Sequence, residues 1–386
     1  MTPLGPGITA MSFYAGAMMP YRSAVEPVAS SVARLMDEIL ADLDEDQGGI
    51  CWWRGYVGWR VSAELGEYLL SACGGVSEAL IKASLAIQEY RESSCARDHA
   101  LTQAWRAIAK RGGSRDELIG AQQALGDAGQ RREDRLDAWL EQTIVSLGQA
   151  LDRVAAVIVI VAGIKCDVIR TDWGELQKVA VKALKNGRGQ GLRQGVLADV
   201  GTSGRERQNA LLSDVLKPED HGPEDWLSWL IAQRNTMVHR APRMSLIQMV
   251  GTRARPTGVI NPLPSQPDWV GTRAMIDAGK AGTMSSMFLV STPQTVLEGL
   301  RGSMCTFLDQ LLKQALYLWG ARRSDPRLIV QPGGSWQPVP KSGTFSFPGY
   351  GEPASMVTKE IAVHPSMVRR LRAARLMDDQ VHLWEE

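Results

Sequence analysis

A helical period that holds from Arg131 to about Arg170 constrains this chain more than any other feature. Trp139, Leu140, Ile144, Leu147, Leu151, Val154 and Ile158 recur at spacings of three and four, the repeat of a helix with one buried face. The period ends in an apolar run from Val154 to Ile164, 11 residues bounded by Asp152, Arg153, Lys165 and Asp167. Crossing a bilayer takes about 20 residues, so this run suits a core helix. The β-branched cluster from Val157 to Val161 is compatible with a strand, but the period on its N-terminal side favours helix.

The same texture recurs along the chain. Val28, Val32, Leu35, Met36, Ile39 and Leu43 mark a helix near 24–43, followed by an acidic turn around Asp46 and the tryptophans Trp52, Trp53 and Trp59. Further helices are predicted over 61–70, 76–90, 96–110 and 114–128, with Gly74-Gly75 and Gly112-Gly113 as breaks. Helices are also predicted over 133–170, 173–185, 206–240 (interrupted at Lys217-Pro218) and 292–320. Thr292-Pro293 supplies an N-cap and a first-turn proline for the last of these. Between Ser245 and Leu289 short apolar runs separated by Pro and Gly predict a small β-hairpin insertion or lid. The fold class expected is all-α. A helical N-terminal domain occupies 1–132 and a second helical domain 133–320, with the insertion at about 243–291. A Pro/Gly-rich C-terminal segment, 321–386, carries a basic helix from Met367 to Met377.

The net charge of +1 is no global sign of a nucleic-acid partner. From Lys178 to Lys280, however, Lys and Arg number 15 against 9 Asp and Glu, offset by the acidic stretch Asp37 to Asp46. The glycine-rich stretch 186–204 lacks P-loop spacing and a Rossmann context, and reads as a loop whose Arg188 and Arg193 could touch phosphates. Five cysteines without a C-x-x-C pair point to a reducing compartment, and no secretory leader pattern is seen at the N-terminus. A cytoplasmic protein without membrane association is expected. His99, His221, His364 and His382 show neither H-x3-H nor H-E-x-x-H spacing, so no metal and no cofactor are expected.

The residues that carry chemistry stand together at Arg234-Asn235-Thr236-Met237-Val238-His239-Arg240. A guanidinium binds phosphate as a planar fork and stays charged, while an imidazole moves protons near neutral pH. Arg234 falls on the apolar stripe Leu227, Leu230, Ile231, Val238. Asp225, Ser228, Ala232, Asn235 and His239 form a neighbouring polar line. Arg240 and Arg243 flank the motif as phosphate-positioning candidates, and Trp226 and Trp229 read as core.

This constellation resembles the HEPN superfamily, whose members carry Arg-x4–6-His, commonly with Asn or Asp after the arginine, late in an all-helical domain. The matching residues are Arg234, Asn235 and His239, and the helices of 133–320 would form the family's up-and-down bundle. The resemblance implies a metal-independent endoribonuclease, a toxin or anti-phage effector, that cleaves RNA as a homodimer under a regulatory protein partner. His239 would then serve the ribose 2′-hydroxyl as general base or acid, Arg234 would polarise the phosphate, and Asn235 would orient the site. The alternative is a non-catalytic helical interaction or scaffold protein with a degenerate HEPN domain, in which Arg234 and His239 are structural groups.

Overall fold

The apolar period before Gly163 does form a helix, and it stops where a glycine can stop it. The computed structural model describes residues 19–46, 48–53, 59–114, 117, 120, 126–164, 166–185, 202–239, 248–252, 255–282, 287–324, 347, 349–350 and 365–374. The helices are α1 (Pro20–Ser23), α2 (Glu26–Ala41), α3 (Trp59–Lys110), α4 (Gly126–Ala162), α5 (Trp173–Lys185), α6 (Thr202–Val215), α7 (Trp226–His239), α8 (Trp269–Ala281), α9 (Pro293–Ser324) and α10 (Pro365–Ala373). Short 3-10 turns lie at Cys51–Trp53 and Pro218–His221. Strands β1 (Gln248–Thr252) and β2 (Arg255–Ile260) pair antiparallel, Met249 opposite Val259, with a bulge at Val250/Gly251. The chain is mostly helical, as the periodicity predicts.

Three sequence expectations need correction. The helix expected to reach Arg170 ends at Ala162. Gly163 takes a φ of 63°, its N–H bonds the Ile160 carbonyl, and the Ile164 N–H bonds the Val159 carbonyl at 3.0 Å. These two bonds form a Schellman end, which a glycine in the left-handed region permits. Cys166 therefore lies beyond the helix rather than in it; burial raises its thiol pKa. The second correction is at Gly74-Gly75, which does not break the chain: α3 runs unbroken for 52 residues. Gly75 is there for close approach. A Cβ on it would stand 2.8 Å from Cδ of Arg153, whose Nη1 donates to the Gly75 carbonyl. Finally, the apolar pair Met275-Ile276 belongs to the helix α8 rather than to a strand. Asp268 caps α8, its carboxylate accepting from the Gly271 N–H at 2.9 Å.

The chain gathers into two compact units, each made of three segments. The first comprises 1–29, 78–149 and 219–306. Its core includes Leu80, Ile87 and Trp105 of α3, Ile144 and Leu147 of α4, and Leu230 of α7, all buried. Arg301 of α9 donates to the Ser84 hydroxyl at 3.2 Å. The turn after β2 is anchored by Arg97 of α3, only 2% exposed, which donates to the Asn261 side-chain oxygen at 3.1 Å.

The second unit comprises 30–77, 150–218 and 307–386. Here the continuous apolar run Val154 to Ala162 is buried, and Trp173 meets Phe307 edge-on at 5.5 Å. The acidic stretch near 37–46 is met by cations of its own chain. Arg323 reaches Glu38 and Asp42, both at 2.7 Å, and Arg369 of α10 reaches Glu45 at 2.8 Å. Arg370 of the same basic helix forks onto Glu67 of α3. Among the described residues, α3 and α4 each hold an 18-residue window apolar enough to cross a membrane, a test that buried core helices also pass. Those windows are 56% and 78% buried.

Candidate functional site

Helix α7 carries the motif. It starts after Asp225, held at a φ of 59°, whose carbonyl accepts from the Trp229 N–H at 2.8 Å. Trp226, Leu227, Leu230, Gln233 and Thr236 are the buried positions, so the apolar face runs differently from the stripe read in the sequence. Val238, expected on that stripe, is 48% exposed, and Ile231 is half-buried. The other side of the face docks on the segment after the hairpin. Trp229 Nε1 donates to the Pro264 carbonyl at 3.0 Å and the Thr236 hydroxyl to the Pro267 carbonyl at 2.6 Å. Trp226 is buried, while Trp229 is half-buried and ties the helix to the segment after the hairpin.

Arg234 is half-buried, one helical position behind the buried line. Its stem crosses the backbone of Gly148 in α4 at a distance no other residue would allow. A Cβ at Gly148 would stand 2.4 Å from Arg234 Cδ, 2.7 Å from Nε and 3.2 Å from Cζ. Real Cβ atoms do not approach that closely, so the absence of a side chain at 148 sets where the guanidinium lies. Sequence reading passes over Gly148; its signal is a glycine mid-helix with no cap or turn to serve. Asn235 follows Arg234 and is half-buried. His239 is the last residue of α7, and its side chain lies outside the described residues. Five residues of α-helix separate the two motif positions by about 7.5 Å along the axis and about 140° around it. Arg240, Arg243, Arg188 and Arg193 also lie outside the described residues.

A second charged group in this unit surrounds Arg97. The guanidinium donates to Asp98 at 3.1 Å and lies 3.6 Å from Glu133. Burial raises the Asp98 carboxyl above its ordinary value against the pull of Arg97; partial desolvation, then repulsion from Asp134, raises Asp137, although the residue itself is exposed. Burial pushes the Tyr90 hydroxyl up to about 12. A carboxyl whose folded pKa exceeds its unfolded one favours the fold when protonated. That contribution is whole below the ordinary 3.8 and is lost as pH rises through the folded value. Asp137→Asn is fixed in the neutral state and is expected to melt above the natural protein at neutral pH, the gap closing as the pH is lowered. A variant melting lower at neutral pH would mean that attraction, not desolvation, governs this carboxylate.

Among the described residues, no group of three or more His, Cys, Asp or Glu side chains could hold a metal ion. Burial pushes the thiol of Cys73 up to about 12, so it supplies no thiolate nucleophile. No family model, curated protein or solved structure matches the chain.

Proposed function

We propose that the chain is a HEPN-like, metal-independent endoribonuclease, a cytoplasmic toxin or anti-phage effector that acts as a homodimer. The observation that carries this reading is the seating of Arg234. A long cation is held half-open over a bare stretch of helix backbone, with Asn235 next to it and His239 in the same helix. A guanidinium so held can fork onto the non-bridging oxygens of a phosphodiester. The His239 imidazole would take the proton from the ribose 2′-hydroxyl as that oxygen attacks phosphorus. The bond to the 5′-oxygen breaks and that oxygen is protonated, leaving a 2′,3′-cyclic phosphate and a 5′-hydroxyl. Because about 140° of helix separates the two residues, a second copy facing the first would complete the site by setting one copy's His239 opposite its partner's arginine.

The chemistry requires a 2′-hydroxyl, so RNA should be cut and DNA of the same sequence left whole. His239→Ala is expected to slow cleavage by about 10²–10⁴-fold, and EDTA to leave the rate unchanged. Cleavage that survives His239→Ala, or stops with EDTA, would overturn the mechanism. A second reading has its own support: Trp229 and Thr236 commit α7 to fastening the segment after the hairpin, as a non-catalytic scaffold helix would. In that case purified protein leaves RNA intact, and Arg234→Ala and His239→Ala lower the melting temperature alike.

A further inference from the structure

The second unit holds a feature that the motif helix does not use. Arg322 of α9 is wholly buried, and Nη1 donates to the carbonyls of Ile160 and Val161 in the last turn of α4. A cation at that end of a helix is well placed, since the carbonyls there lack partners within the helix. Nη1 alone is used in this way. Nε and Nη2 have no hydrogen-bond partner among the described residues. Together they form the edge of a guanidinium that grips two oxygens of one carboxylate or phosphate.

Beside the guanidinium lies a cluster of indoles with idle donors of its own. The Trp52 ring lies 5.7 Å from Cζ of Arg322 and packs edge-on against Trp53 at 5.7 Å and Trp319 at 4.8 Å. Nε1 of Trp52 and Nε1 of Trp53 are buried without an acceptor, whereas Nε1 of Trp319 donates to Asp42 at 2.8 Å. Asp42 also takes Arg323, at 3.0 Å from Nε and 2.7 Å from Nη2. Among the described residues the cluster thus holds four donor nitrogens without an acceptor and a positive charge with no carboxylate partner. Buried donors in such number call for an acceptor. Water could accept those bonds, and the α4 end offsets part of the charge, but an anion would do both at once. Burial pushes the Arg322 pKa down to about 9, which leaves the group cationic at neutral pH.

We infer that Arg322, Trp52 and Trp53 form a binding site for a small oxyanion, a carboxylate or phosphate group gripped by the Nε/Nη2 edge. Trp52 is the one member of this trio that is not fully buried, and it follows the exposed Cys51, so it marks the side from which the ion enters. The site is independent of the ribonuclease reading and stands or falls separately from it.

The test titrates inorganic phosphate and acetate separately into the full-length protein at fixed ionic strength, with chloride as the balance, by calorimetry and thermal shift. Saturable binding of either, half-complete below about 1 mM, is expected, and the preferred ion tells a tetrahedral group from a planar one. Arg322→Lys keeps the charge and loses the fork; it should weaken binding by about tenfold or more. Trp52→Phe keeps an aromatic ring and loses one donor; it should bind several-fold more weakly while melting like the natural protein in chloride buffer free of phosphate and acetate. If Arg322→Lys does not fold, Trp52→Phe decides alone. No saturable response to either ion up to about 10 mM, or unchanged affinity in Trp52→Phe, overturns the inference.

Discussion

Gly148→Ala is expected to leave the protein folded while slowing the proposed RNA cleavage by about 10²–10³-fold, the usual loss when one donor to a developing anion is displaced. Two opposed effects make this substitution informative. Alanine is the better helix former, by about 0.5–1 kcal/mol over glycine in a helix interior, so α4 itself should gain. The new methyl cannot coexist with Arg234, whose Cδ would stand 2.4 Å away. A long side chain yields more readily than two helices do, so the guanidinium moves and the fold stays. The melting temperature should therefore change little while kcat falls. The loss should not add to that of Arg234→Ala, because both changes would remove the same proposed phosphate contact. A Gly148→Ala protein that cleaves at the natural rate would show that Arg234 does not act from this seat. One that fails to fold would show that the arginine is locked in place as structure.

The second large effect belongs to the tryptophan cluster. Trp319→Ala should cost about 3–5 kcal/mol of stability, the range for removing a large aromatic side chain from a core. The ring is fully buried between Trp52 and Trp53, at 4.8 and 5.9 Å. Its Nε1 also satisfies Asp42, which is only 7% exposed. Trp319→Phe preserves much of the ring contact and removes only the donor, and should cost about 1–2 kcal/mol. Denaturant unfolding of the two variants gives both values; equal losses would mean that the hydrogen bond, not the packing, carries the effect.

Much of this was legible before any coordinates. Helical periodicity located α2, α4, α5 and α9, the Lys217-Pro218 interruption, and a hairpin just after the motif, because a buried face leaves its period in the sequence. Helix ends were less legible. The period before Gly163 continued past it in hydropathy, and only the Schellman bonds fixed the stop. The glycines were the hardest to read. Gly75 and Gly148 look like weak points in a helix, yet each makes room for an arginine from another helix, and nothing in the local sequence names that arginine. Similarly, the segments that join into each unit are far apart in sequence, and no local pattern records which will meet. Of the candidate site, the motif helix and Arg234 were readable, but Gly148 and the grouping of Arg322 with Trp52 and Trp53 were not, since both depend on long-range packing.

The continuity of α3 has a mechanical consequence. Two adjacent glycines, each costing a helix about 1 kcal/mol relative to alanine, are where an isolated stretch would bend first. In the folded chain Arg153 bolts that point by gripping the Gly75 carbonyl. The helix thus passes through its two weakest positions with a clamp from a second helix laid directly on one of them.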